Sequence, residues 1–336
     1  MSLYVGYAQS IITPSLSKPV YLAGFGQNRT AQGVHDDLYV RALALRSTAS
    51  APPQTLILAA LDLIGLFRMH ILEIQRKVQS FHPDAQMLIA CTHTHHAPDT
   101  LGLWGPDFQT CGADPSYIAW LIETVTSTIL TALQDLQPGG MLAASAQVPG
   151  VARNARNPEI LDQELSCLQF VSEESILATL LVFPCHPEVL WQHNPQITAD
   201  YPGYLRCAVE RDTAAPCLFF AGALGGMMTP DVREHSFPEA QAMGKTLAQA
   251  ALNALSSPQL CYPPALPIPL DLRKTVFSAP VTNPIYHMAI QAGLLPNLLD
   301  EKNNLTTETN LLKIGKVWLA GVPGELLPGL GLKLKT

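Results

Sequence analysis

Apolar runs of strand length, each closed by a turn or breaker and separated by segments of helical spacing, confine this chain to a small set of folds. Residues 54–61, 87–91, 165–170, 176–183 and 217–221 are nearly unbroken stretches of Leu, Ile, Val, Phe, Met and Ala. Strands of that kind have both faces covered. Residues 3–8 and 37–45 read as further strands, and 316–320 as the last clear one. Between them, residues 68–80 carry Ile71, Ile74 and Val78 at helical spacing and stop at His82-Pro83-Asp84. Asp114-Pro115 opens a long helix, with Asp as N-cap and Pro at the first helical position. Its apolar stripe is Ile118, Leu121, Ile122, Val125, Ile129 and Leu133, and Pro138-Gly139-Gly140 ends it. Residues 204–210 read as a short helix, and Ser236 with Glu239 forms a capping box ahead of a helix through Leu255. Interleaved strands and helices predict an α/β fold, with a mixed β-sheet core flanked by helices. No repeat, charge run or flexible linker divides residues 1–336, so a single domain is expected; Pro-rich residues 263–268 only cross to a new segment.

Composition narrows the function classes. Hydrophobic residues make up 48% of the chain and charged residues 14%, which suits a large core and argues against disorder. The net charge is −7 with no Lys/Arg cluster, so no nucleic-acid partner is expected. No run of 18 apolar residues predicts a transmembrane segment. The first ten residues carry neither a basic n-region nor a long apolar stretch, so no signal peptide is expected. Seven cysteines, an odd number without a CxxC pair, predict a reduced, cytoplasmic location. Nothing in the sequence sets the oligomeric state.

Chemistry-bearing residues gather where strands end. Residues 87–91 run into Thr92-His93-Thr94-His95-His96. In an extended segment, residues two apart point to the same side, so His93 and His95 are expected to face one point. Neutral imidazoles supplied this way are good zinc ligands. A second strand ends in Phe183-Pro184-Cys185-His186-Pro187, and a third in Gly321-Val322-Pro323-Gly324-Glu325. Glu325 is a candidate carboxylate ligand or general base. Each has a plainer reading: a satisfied structural histidine for His186, and a helix-starting acid for Glu325. Asp62, at the end of an apolar strand, is a candidate support for a metal-bound histidine. Tyr201 lies in a turn before a helix, and the run Gly222–Gly226 offers backbone N–H groups to a substrate oxygen. A Gly-x-Ser-x-Gly elbow is absent, which disfavours a serine hydrolase.

Taken together these motifs resemble the neutral/alkaline non-lysosomal ceramidase family. The matching stretches are Gly33 to Ala42, Cys91 to Thr100, Asn154-Ala155-Arg156-Asn157, Cys185-His186-Pro187, Ala199 to Tyr204, Gly222 to Pro230, and Pro323-Gly324-Glu325. They cover nearly the whole chain in family order, and Thr-His-Thr-His-x-x-Pro is the most specific. The resemblance implies a zinc amidase with one Zn2+ per chain, held by His93, His186 and Glu325. It places His95 beside the metal and Arg156 against substrate; Tyr201 joins these two as a candidate catalytic residue. Three departures stand out. The family's fourth ligand, a Tyr well after Pro-Gly-Glu, has no counterpart in the eleven residues after Glu325. His96 replaces the usual Ser, as a further ligand or proton carrier. Met227 and Met228 follow Gly226 where an Asp is usual.

The reading is zinc-dependent hydrolysis of an amide bond in a small-molecule or lipid-like N-acyl substrate, by a metal-activated water. His95 would orient that water or stabilise the oxyanion, and Arg156 would bind a polar or anionic group. Two other readings use the same motif. An amidohydrolase-type site needs further His ligands and a late Asp, for which no ordered set is found. The other is a metal- or ligand-binding protein without turnover. The metallo-β-lactamase pattern fails because Ala97 sits where its Asp belongs.

Overall fold

The computed structural model describes residues 3–264 and 266–336. Met1 and Ser2 of the N-terminal stretch, and Ala265 of the Pro-rich crossing, lie outside them. In chain order the elements are β1 (Leu3–Ile11), β2 (Gly33–Val34), β3 (Tyr39–Ser47), β4 (Gln54–Leu61), α1 (Arg68–Gln79), β5 (Ala85–Cys91), α2 (Pro115–Gln134), β6 (Gln137–Gln147), β7 (Ala152–Asn154), β8 (Glu164–Val171), β9 (Ile176–Phe183), β10 (Gln196–Ile197), α3 (Tyr201–Thr213), β11 (Cys217–Ala221), β12 (Met228–Pro230), α4 (Phe237–Leu255), β13 (Leu260–Tyr262), β14 (Leu270–Pro280), α5 (Pro284–Gln291), β15 (Asn304–Ile314), β16 (Val317–Gly321) and α6 (Pro328–Leu334).

The main sheet has nine strands, ordered β11-β9-β8-β6-β1-β3-β4-β5, with β13 on β6. Only β4/β5 and β9/β11 pair in parallel, so the sheet is mixed. Its two halves meet through three residue pairs, Leu3–Val5 against Gln137–Gly139. Side-chain alternation explains the layers. On β4, Ile57, Ala59 and Leu61 pack against α1 and α2, while Leu56, Leu58 and Ala60 face the other half of the sheet. On β9, Leu181 and Phe183 pack against α3 and α4, while Ala178 and Leu180 face back toward β4. The result is helix, half-sheet, half-sheet, helix. It accounts for the unbroken apolar runs, since each strand is buried on both faces. The helix with the length and apolarity of a membrane span is α2, and its buried stripe packs on this core.

Several boundaries differ from expectation. The helix stop at Pro138-Gly139-Gly140 is instead the start of β6; α2 ends earlier, at Gln134. α3 begins at Tyr201 rather than Tyr204, because the Asp200 side chain caps it by accepting from Tyr201 N. The Asp114 and Ser236 caps stand as expected. β14, β15 and β16 form a separate antiparallel sheet, and the chain leaves β16 directly into the segment carrying Glu325. Asp62 does not support a histidine. Its two oxygens accept from Arg206 at 2.7 Å each, and Oδ2 also accepts from Tyr39 N. This buried, bidentate pair ties the end of β4 to α3.

Candidate metal centre

His93, His95 and His186 converge, with one ring nitrogen from each within 4.8 Å of the others. Their ring centroids lie 5.1 to 5.4 Å apart. The two chain segments are supplied by the C-terminal ends of β5 and β9. Strand alternation is not what brings His93 and His95 together. His93 has φ +69°, in the left-handed region, so the chain leaves the extended path at the first histidine of the motif.

Each outer histidine is fixed by a main-chain carbonyl. His93 Nδ1 lies 2.7 Å from Ile64 O, and His186 Nδ1 lies 2.7 Å from Met228 O. A carbonyl only accepts, so both Nδ1 atoms carry a proton and both rings turn Nε2 toward the cluster. Both Nε2 atoms face one carboxylate: His93 Nε2 is 3.4 Å from Glu325 Oε1, and His186 Nε2 is 3.3 Å from Glu325 Oε2. Two ring nitrogens this close to a carboxylate call for positive charge, as protons on the rings or as a metal ion held among the three groups. The hydrogen bonds from His186 and His93 accordingly hold the Glu325 carboxyl well below the usual range. Burial would lower the His186 pKa, but the Glu325 hydrogen bond and the Glu188 charge outweigh it and raise it. The donor set, two imidazoles and a carboxylate, fits a zinc ion. Glu325 is half exposed while His186 is buried, so the site opens to solvent on the carboxylate side.

The segment carrying Glu325 is seated on the Gly-rich run. Gly225 N donates to Leu326 O, and a Cβ at Gly225 would stand 2.3 Å from Glu325 O. Gly222 N donates to Phe183 O. These two N–H groups are therefore spent on structure and are not offered to a substrate oxygen.

His95 is buried and clamped. Phe25 meets its ring edge-on at 5.0 Å, Arg29 Nη1 donates to its carbonyl, and Gly24 (φ +103°) leaves room where a Cβ would sit 2.4 Å from the ring. Burial, with His93 and His186 adding to it, pushes its pKa well below the usual value, so the ring is neutral. Neither ring nitrogen has a hydrogen-bond partner. Below it lies Glu188, buried, approached by the Thr229 hydroxyl and with Oε2 3.2 Å from His95 Nδ1, neither oxygen closed in a hydrogen bond of good geometry. Sequence reading missed Glu188; the available signal was a carboxylate two residues past a strand-end histidine.

The other expected residues sort clearly. His96 is not one of the converging rings: it is fully buried, Arg29 and Asn194 approach its Nδ1 at 3.4 and 3.3 Å, Asp200 Oδ2 lies 3.5 Å from its Nε2, and burial pushes its pKa down to about 3. Tyr201 does not reach the cluster. It is buried, and its hydroxyl donates to Cys185 O at 2.8 Å, bracing the segment that carries His186. Arg156 is exposed, two residues beyond the Asn154↔Met228 pairing whose Met228 carbonyl holds His186. All seven cysteines are free. Two surface cavities, one lined by Arg76, Lys77 and Glu123 and the other by Ser145, Gln259 and Trp318, share no residue with this cluster.

Curated proteins give no match. Among solved structures, the chain is similar to the neutral ceramidase from Pseudomonas aeruginosa, with 18% identity and a TM-score of 0.80 over 99% of this chain and 64% of that one. It is equally similar to a ceramidase complexed with C2, at 17% identity and TM-score 0.80, covering 99% and 65%. The chain thus spans just under two thirds of the length of those structures, and the likeness is one of fold. Residues 4–232 match neutral/alkaline non-lysosomal ceramidase, N-terminal, and the chain belongs to that family.

Proposed function

We propose that this chain is a zinc-dependent hydrolase of an amide bond in an N-acyl, lipid-like substrate. The observation that carries the reading is the pair of Nε2 atoms, each ring oriented by a carbonyl at Nδ1, facing one half-exposed carboxylate. His93, His186 and Glu325 would hold one ion. When bound, the ion supplies Lewis acidity that lowers the pKa of a water and polarises an amide carbonyl.

The remaining steps belong to the chain itself. His95, neutral and clamped beside the ligands, accepts a hydrogen bond from the attacking water and aims it at the carbonyl carbon. Arg156, exposed on the loop after β7, binds a polar or anionic group of the substrate. Burial of His95 and His186 keeps bulk water from one side of the reacting point, while the Glu325 side stays open for entry. Membership of the ceramidase family and the fold shared with a ceramidase complexed with C2 support an N-acyl amide as the substrate class.

The test is release of fatty acid from a short-chain N-acyl sphingoid amide. Activity should vanish on chelation and return with micromolar zinc. Hydrolysis that persists in fully metal-stripped protein would overturn the reading.

A further inference from the structure

Outside the proposed ligand set, the least satisfied polar group in the described core is Glu188. It is buried on the turn after β9, two residues past His186; the Thr229 hydroxyl approaches it, but neither oxygen is closed in a hydrogen bond of good geometry. Both nitrogens of His95 are in the same condition, and the two groups face each other at 3.2 Å. Burying four poorly paired polar atoms side by side is costly unless they serve one another. With the ring held, a small turn of the Glu188 carboxylate makes that 3.2 Å approach an Nδ1–H···Oε2 bond. A neutral imidazole carries only one N–H, so this bond places the lone pair on Nε2. The ring has little freedom to do otherwise, since Phe25, Gly24 and the His93 and His186 rings hold it on all sides.

We propose that Glu188 is a positioning residue for His95: it accepts the Nδ1 proton, fixes the tautomer, and leaves the Nε2 lone pair to receive a hydrogen bond from the attacking water. This rests on the hydrolase reading for its kinetic consequence, but the tautomer claim stands on geometry alone. It gives the site a carboxylate–imidazole pair distinct from the Glu325 carboxylate, which faces His93 and His186. No bond to carbon forms or breaks at Glu188; the proton it accepts stays shared with His95.

The experiment compares the zinc-loaded wild type with Glu188→Gln and Glu188→Met. Glutamine keeps an acceptor oxygen; methionine fills the space without one. Long-range nitrogen–proton NMR of histidine-labelled protein, with the His95 signal assigned by His95→Gln, reads the tautomer directly. The wild type and Glu188→Gln should show His95 protonated at Nδ1, and Glu188→Met should lose that preference. All three should hold zinc in equal amount. Glu188→Met should lose kcat by about 10- to 100-fold with little change in KM, and Glu188→Gln should recover most of it. A wild-type His95 protonated at Nε2, or full kcat in Glu188→Met, overturns the proposal. Absence of zinc or of amide hydrolysis in the wild type overturns the hydrolase reading instead, while the tautomer spectrum still decides the role of Glu188.

Discussion

Replacing Gly225 by Ala tests how the carboxylate ligand is held. The Cβ would stand 2.3 Å from Glu325 O, 2.8 Å from Glu325 C and 2.9 Å from Leu326 C. All three are backbone atoms, so no side chain can swing away. Real Cβ atoms do not approach closer than 3.0 Å, so the segment must retreat by roughly 0.7 Å, the difference between 2.3 and 3.0 Å. Retreat also stretches the Gly225 N–H bond to Leu326 O, now 2.9 Å. The Glu325 oxygens, 3.3 and 3.4 Å from the two Nε2 atoms, move off with the segment. Misplacement on the scale of 1 Å costs on the order of 100-fold in rate, or about 2.7 kcal/mol of barrier, and zinc affinity should fall with it. Overpacking adds about 1–3 kcal/mol of lost stability. Zinc affinity by competition with a chromophoric chelator, read beside kcat/KM, measures the effect. Gly26→Ala is the control, since nothing lies within 4 Å of its Cβ. Wild-type zinc affinity in Gly225→Ala would refute the idea that this contact seats Glu325.

Other outcomes follow from the same geometry. His186→Ala should lose zinc and hydrolysis together; a fully metallated, active variant would contradict the ligand assignment. Asp62→Ala leaves Arg206 buried without its partner and should cost about 3–5 kcal/mol by urea denaturation, a loss under 1 kcal/mol counting against the buried-pair reading. His96 has its folded pKa at about 3 against 6.5 when unfolded, so below pH 6.5 the unfolded state binds the extra proton and stability falls as pH drops from 6.5 toward 3. Its contribution is about 1.4 kcal/mol per pH unit; denaturation of His96→Gln between pH 6.5 and 4.5 should show a slope shallower than wild type by that amount, and equal slopes would dismiss the buried neutral ring.

Much of the core was legible because its strands are buried on both faces, and unbroken apolar runs such as residues 54–61 announce that directly. Helix starts at Asp114 and Ser236 were legible because capping is a local side-chain to backbone bond. β6 was hidden by Pro138-Gly139-Gly140, a breaker by local rules that tertiary pairing to β1 and β8 overrides. β14 and β15 were hidden because β14 is largely solvent-exposed, β15 is mostly half-buried, and neither carries an unbroken apolar run. At the site, strand-end histidines and Glu325 could be picked out, but the means by which they meet could not. The left-handed turn at His93, the carbonyls of Ile64 and Met228, and the buried Glu188 are products of tertiary contact. Tyr201 misled for the same reason: a Tyr opening a helix near the motif looks available until the core closes over its hydroxyl.

The central claim is that His93, His186 and Glu325 hold a catalytic ion. Elemental analysis of untagged protein purified without chelator tests it most directly. The account predicts about one zinc per chain, lost in both His93→Ala and His186→Ala. Protein that carries no metal and takes none up at micromolar zinc would contradict it.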